Sequence, residues 1–423
     1  MRKAQLAILT FVLLGAIPEF VPMLANYRII AWSRIATLLE FSAASPHEPA
    51  VPPLSARNLQ EPTGSLDSFL TALQRTDGPV RILHYGDSPA TADQITADAR
   101  DLLQQQFGDA GHGFILIARP WAWYRHRGTQ ITSQGWAADP ASMNAGDGKY
   151  GLGGVSFTGK ERSWSRVRFQ AAQNSVEIAY LQKPGGGTLR VSLDGREAGI
   201  IETNGALESR FHEFSGAFHD VELTVVRGEV RMFGIEARRS SRGVIYSSLG
   251  LNGAYVSVLA KMFNREHWKQ QLQHYRPDLV ILNYGTNESV YREFLDQKYE
   301  LELRGTIARV RDAVPQASIL VMSPMDRGER IATGEIATVP GLPRLVAMQQ
   351  RIARSAGCAF FDTFDAMGGA GTMNRWYAAE PRLVTADFIH PTAAGARAVG
   401  NLLFRGLMDR YRQSAAMRAS LVR

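Results

Sequence analysis

Short apolar runs that stop at glycine or polar turns recur along the chain at Val80 to Tyr85, Gly243 to Ser247, Leu279 to Tyr284, Ser318 to Met322 and Ala359 to Asp362. Helical periods separate most of them. After the first run, Ile95, Ala99, Leu102, Leu103 and Phe107 share one helical face, and Thr91 with Gln94 fits a capping box. Further amphipathic stretches span Tyr255 to Tyr275, Tyr299 to Val314, Leu342 to Ala356 and Ala393 to Tyr411. This alternation predicts an α/β fold, a doubly wound parallel sheet covered on both faces, with its chemistry at the carboxyl ends of the strands.

Between about Ile115 and Ser240 the helical period disappears. Alternating segments replace it at Val167 to Phe169, Val176 to Leu181, Thr188 to Leu193, Val221 to Val226 and Val230 to Ala237. Leu193-Asp194-Gly195-Arg196 and Val226-Arg227-Gly228-Glu229 read as hairpin turns, so the stretch is expected to be an antiparallel β-sandwich inserted after the first helix. Trp121, Trp123, Tyr124, Trp136 and Trp164 fall in it. Flat rings of this kind stack on sugars, but for any single one a place in the sandwich core is the stronger expectation.

At the start, Arg2 and Lys3 precede the apolar run Leu6 to Ile17, the order of an export signal. Pro18, Glu19 and Pro22 interrupt the run, and no small-residue cleavage site follows it closely, so removal and retention as an inner-membrane anchor stay equally open. Membrane contact through Tyr27 to Phe41 fits the apolar spacing there, and Ser42 to Pro53 has the composition of an extended tether. The expected organisation is a leader and amphipathic segment over 1–41, a linker over 42–58, a main domain in two parts, 59–114 and 241–423, and the insert over 115–240. The location expected is the periplasm or cell envelope.

With 423 residues and 45% hydrophobic content, the chain is long enough to bury two cores. Forty-seven basic against 40 acidic residues give a net charge of +7, but the basic residues are mostly scattered arginines, so no nucleic-acid partner is expected. The lone Cys358 excludes an internal disulfide and a thiolate metal site. His84, His112, His126 and Asp139 lack metal-ligand spacing, and neither a metal nor another cofactor is expected.

The polar clusters at strand ends carry the chemistry. The first strand runs into Gly86-Asp87-Ser88-Pro89, which sets the Ser88 hydroxyl at a strand's carboxyl end and its N–H at a helix start, where donors can meet a developing oxyanion. Asp87 reads as a carboxylate that braces the loop. The block Leu249-Gly250-Leu251-Asn252-Gly253-Ala254 offers a further N–H from either Gly250 or Gly253, and Gly285-Thr286-Asn287 adds a side-chain amide. Near the end, Asp387 precedes His390-Pro391 by three residues, so its carboxylate can fix the imidazole tautomer and leave the other nitrogen as a base.

Taken together, these four blocks in this order resemble the SGNH (GDSL-like) hydrolase superfamily, over roughly Pro79 to Phe107 and Gly243 to Arg410. His84 to Ser88, Phe107 to Phe114 and the insert further resemble bacterial peptidoglycan O-acetylesterases that carry a carbohydrate-binding-like sandwich. The resemblance implies a flavodoxin-like sheet of the SGNH hydrolase type and a catalytic set of Ser88, His390 and Asp387. It also implies an oxyanion hole of the Ser88 and Gly253 N–H groups and the Asn287 amide. The implied function is a serine esterase that removes O-acetyl groups from peptidoglycan or another envelope polysaccharide. Two rivals are an O-acyltransferase with the same triad and a catalytically silent glycan-binding protein.

Overall fold

The computed structural model describes residues 52–421 apart from 56, 63, 76 and 142–145. The leader, the amphipathic segment and most of the tether lie outside the described residues. Among the described residues no helix is long and apolar enough to cross a membrane.

The chain forms a short edge strand β1 (Leu59–Gln60), then β2 (Pro79–Gly86) and β3 (Asp109–Ile115). Six strands follow: β4 (Thr129–Pro140), β5 (Val155–Gln182), β6 (Thr188–Leu193), β7 (Arg196–Glu202), β8 (Glu208–Arg227) and β9 (Glu229–Arg238). The α/β rhythm resumes with β10 (Gly243–Gly250), β11 (Leu279–Asn283), β12 (Ser318–Met322), a separate hairpin of β13 (Gly328–Arg330) and β14 (Ile336–Thr338), and β15 (Ala359–Phe361). Within the main sheet the parallel strands run in the order β15-β12-β11-β2-β10-β3. Leaving β3 aside, this is the flavodoxin-like order, with the winding reversing around β2.

Register matters more than order here. Gly86 pairs with Gly250 on one side and Asn283 on the other, so the three loops that follow β10, β2 and β11 leave the sheet at one level.

Because both faces are covered, successive residues of these strands enter different cores, which is why the runs read as continuously apolar. Val80, Ile82, Tyr246 and Ile281 pack with the helices Asp67–Ala72, Ile95–Phe107 and Ala393–Leu421. Leu83, Tyr85, Val280 and Leu282 pack with Arg265–Tyr275, Tyr299–Ala313 and Gly341–Ser355. That second cluster continues into the antiparallel strands through Phe114, Phe157, Ile178 and Ile235. Two cores do form, but the sheet divides them by face rather than by domain.

The antiparallel strands are joined to the parallel sheet. β3 pairs parallel to β10 and antiparallel to β9, so one 13-stranded sheet runs through both parts. β5, 28 residues long, pairs with β9 near both of its ends, at Phe157 opposite Met232 and at Ile178 opposite Ile235, with its register broken between Lys160 and Ser175. The long strand thus wraps its two legs around a shared apolar core.

Three local expectations change. Asp194-Gly195 does close a hairpin between β6 and β7. Arg227-Gly228-Glu229 does not, because β8 and β9 are each bonded to β5 and not to one another, so this turn is a corner. The Thr91–Gln94 capping box is also absent: the helix starts at Ile95 without a side-chain cap, because Ser88–Thr91 forms its own turn and Asp93 breaks the chain with a φ of 50°. The stretch Tyr255 to Tyr275 is likewise two pieces, Val258–Met262 and Arg265–Tyr275, the second capped by the Asn264 side chain.

A buried ion pair links the two parts of the sheet. Arg81 of β2 meets Glu236 of β9 at 2.6 Å, and Arg238 donates to the same carboxylate at 2.7 Å. Glu236 is 1% exposed, and although burial opposes its charge, the two guanidinium groups hold its carboxyl below the usual range. Removing one partner leaves the other charge under-compensated. Arg81→Ala is expected to lower stability by about 3 kcal/mol, the low end for breaking a buried pair, since Arg238 remains. A denaturant midpoint equal to that of the wild type would show that the pair does not hold the joint.

Candidate active site

The site begins where β2 ends. Asp87 is extended, and Ser88 opens the turn Ser88–Thr91, with Pro89 tolerated because a first-turn N–H has no intrahelical partner. Asp87 is 2% exposed while Ser88 is half-buried. The Asp87 carboxylate accepts the Thr286 N–H at 3.2 Å. Burial pushes its carboxyl up to about 6, against the Thr286 hydrogen bonds and the nearby His390 and Arg327. Arg327, in the loop after β12, donates to the Thr286 carbonyl at 2.6 Å. These contacts tie the loop after β2 to the loop after β11, in keeping with a bracing role for Asp87.

From the other end of the chain, Asp387 and His390 sit in a tight turn closed by the Thr385 N–H donating to the His390 carbonyl at 2.8 Å. Asp387 Oδ1 accepts the Thr385 hydroxyl at 2.6 Å and the Ile389 and His390 N–H groups at 3.0 Å each. Its Oδ2 lies 2.7 Å from His390 Nδ1. Burial works against its charge, but this set of donors outweighs it and holds the carboxyl well below the usual range. An ionised carboxylate only accepts, so Nδ1 carries the imidazole proton and Nε2 presents its lone pair. Nε2 stands 2.8 Å from Ser88 Oγ, across 302 residues of chain. The structure therefore brings Ser88, His390 and Asp387 into one hydrogen-bonded line.

The two glycines separate by packing. A Cβ on Gly250 would meet Thr91 N at 2.3 Å and Ala90 C at 2.5 Å, so this glycine lets β10 approach the turn that holds Ser88. Gly253 is exposed and has a φ of +68°, and a Cβ there would meet nothing within 4 Å. Neither its N–H nor that of Ser88 has a hydrogen-bond partner among the described residues. Asn287 is half-buried and donates one amide hydrogen to the Ala254 carbonyl at 3.0 Å, which leaves the other for a ligand.

Two residues escape a sequence reading. Arg327 is one, signalled only by its place after a parallel strand. Glu288 is the other: it is fully buried beside Asn287, and its Oε1 accepts the Val256 N–H at 2.8 Å, a second tie between the loops after β11 and β10. Burial raises its carboxyl to about 8, and Oε2 has no partner. No cluster of histidine, cysteine and carboxylate side chains able to hold a metal occurs among the described residues.

Residues 231–398 match the GDSL-like Lipase/Acylhydrolase family. Over that span the chain is similar to GDSL-like, SGNH-type hydrolases. The matched span holds Gly253, Asn287, Asp387 and His390, while Ser88 lies upstream, cut off from it by the inserted strands. A solved structure of a peptidoglycan O-acetylesterase shares the fold of this chain, with a TM-score of 0.71 at 21% identity, over 84% of this chain and 99% of that one. A family two carbohydrate esterase from Clostridium thermocellum in complex with cellohexaose is more distant, at a TM-score of 0.31 and 12% identity, over 66% of this chain and 99% of that one. A two-domain esterase active on acetylated mannans gives 0.29 and 17%, over 40% and 39%. No curated protein matches the chain by sequence.

The buried Glu288 makes stability pH-dependent with a definite sign. Its carboxyl rises from 4.5 to about 8 on folding, so its proton-linked stability is complete below 4.5 and is lost as pH rises through 8. Glu288→Gln keeps the shape and does not titrate. The melting temperature of this variant relative to the wild type is therefore expected to rise between pH 5 and pH 8.5, and an equal offset at both would contradict the assignment.

Proposed function

We propose that the protein is a serine esterase that removes O-acetyl groups from peptidoglycan or another envelope polysaccharide. The observation that carries this reading is the line of Ser88 Oγ, His390 Nε2 and Nδ1, and Asp387 Oδ2, at 2.8 and 2.7 Å. The polymer is suggested by the peptidoglycan O-acetylesterase that shares the fold, and the location by the charged and apolar order of residues 2–17, which points to export into the envelope with or without retention at the inner membrane.

Ser88 Oγ attacks the acetyl carbonyl carbon while His390 Nε2 takes its proton. The oxyanion of the tetrahedral intermediate meets the Ser88 and Gly253 N–H groups and the second Asn287 amide hydrogen, each donor contributing about 3 kcal/mol to lowering the barrier. The bond to the sugar oxygen breaks, and that oxygen receives the proton from His390. Water then attacks the acetyl-serine, its proton passes to His390, and collapse releases acetate and returns a proton to Ser88 Oγ. Asp387 stays ionised throughout and balances the imidazolium.

Acetate release from O-acetylated peptidoglycan is expected to fall at least about 10⁴-fold in Ser88→Ala with the fold retained. In Asn287→Ala, kcat should drop about 10²-fold or more with little change in KM. A fluorophosphonate should add to Ser88 in the wild type, as read by mass spectrometry. Activity undiminished in Ser88→Ala would sink the proposal, and acetyl transfer to an added glycan outrunning acetate release would replace the esterase by a transferase.

A further inference from the structure

A cleft of about 670 Å³ is lined by residues that follow two of the site's segments in the chain. One wall is Ala92 to Gln94, directly after the turn that Ser88 opens, and another is Ala393 and Ala396, at the start of the helix that follows His390. Ala393 is three residues beyond His390, so at 3.8 Å per residue the cleft begins within about 11 Å of the imidazole-bearing backbone. The third wall is the loop that leads into β4.

That loop is anchored. The Arg127 N–H donates to Asp93 Oδ2 at 2.9 Å, and the same carboxylate is gripped by the buried Arg100 at 3.0 and 2.8 Å. The Tyr124 hydroxyl turns inward and accepts the Leu116 N–H at 3.0 Å. Trp121 packs against the core, yet Trp123, two residues on, is 50% exposed. Arg119 and Arg125 flank it, both exposed, and neither makes an ion pair or hydrogen bond among the described residues. Arg127 differs, since Asp98 and Asp101 take up its guanidinium at 2.7 and 3.0 Å.

An indole held half in water by a rigid loop exposes apolar area that a ligand would cover, and the C–H face of a pyranose fits a flat ring. Two uncommitted guanidinium groups beside it suit a carboxylate, which they can bind through paired hydrogen bonds. We propose that this cleft is a substrate subsite for a carboxylate-bearing glycan, with a sugar face on Trp123 and the carboxylate on Arg119 and Arg125. This rests on the esterase reading and narrows it: a glycan strand carrying acidic substituents is the preferred polymer, and neutral acetylated xylans or mannans are not.

The test uses Ser88→Ala, which cannot turn over its ligand, and calorimetric binding of two probes, muropeptides from a muramidase digest of peptidoglycan and neutral N-acetylchitopentaose. Ser88→Ala should bind the muropeptides at least tenfold more tightly. Adding Arg119→Ala and Arg125→Ala should remove that preference, adding Trp123→Ala should weaken both probes, and raising NaCl from 50 to 500 mM should weaken only the muropeptides. Matching melting temperatures check that these surface changes leave the fold intact. Equal affinity for the two probes, no measurable binding, or an unchanged preference without the two arginines would overturn the subsite. Acetate release by the protein with Ser88 intact is scored separately, and its absence would remove the esterase reading while the binding pattern still reported on the cleft.

Discussion

The level pairing of Gly250, Gly86 and Asn283 is the constraint on which the site depends. Three parallel strands ending in step deliver three polar loops to one place, and the reversal of winding around β2 keeps helices from filling the space between them. The loops are then pegged to each other by buried carboxylates. Asp87 reaches the Thr286 N–H, and Glu288 reaches the Val256 N–H. Burying a carboxyl is costly unless donors meet it, so these two groups stabilise only the arrangement in which the loops are correctly spaced. The imidazole, carried by a turn with its own internal hydrogen bonds, is preorganised independently and is added from the fourth side.

The division of labour between Asp387 and Asp87 follows from exposure. The Asp387 side chain stands about half in solvent, where the attraction between two charges is weakened but not abolished, so hydrogen-bond geometry and the tautomer it selects add to its charge in acting on His390. Asp87 is sealed from water, and its carboxyl is shifted the other way. Two aspartates that adjoin the reacting groups thus hold different protonation preferences, one set by donors and one by desolvation.

The inserted strands are more than an appendage. They extend the central sheet through β3, share one apolar cluster with a face of the parallel strands, and are tied to β2 by Arg81 and Glu236. They are preceded by the loop that carries Trp123 into the cleft it shares with Ala92 to Gln94. In the proposed reading, a platform fixed in this way would hold a polymer in register with Ser88, whereas a tethered domain would have to find that register at each encounter.

Five of the six parallel strands and the five long helices were legible in the sequence, because a strand buried on both faces is a continuous apolar run and an amphipathic helix repeats every three to four residues. So was the polar set that the structure brings together, since Ser88 and Asn287 follow the ends of β2 and β11 and the Asp387–His390 pair directly precedes the last helix. β3, β4 and β7 were not, for they are rich in glycine or in polar residues that face water, and their pattern does not differ from that of loops. The choice between Gly250 and Gly253, the burial of Glu288 and the exposure of Trp123 rather than Trp121 depended on neighbours distant in the chain. Residue type and spacing determine what a segment can do; which atoms lie within hydrogen-bonding reach across 302 residues, and which carboxyls lose their water, is decided only when the chain packs.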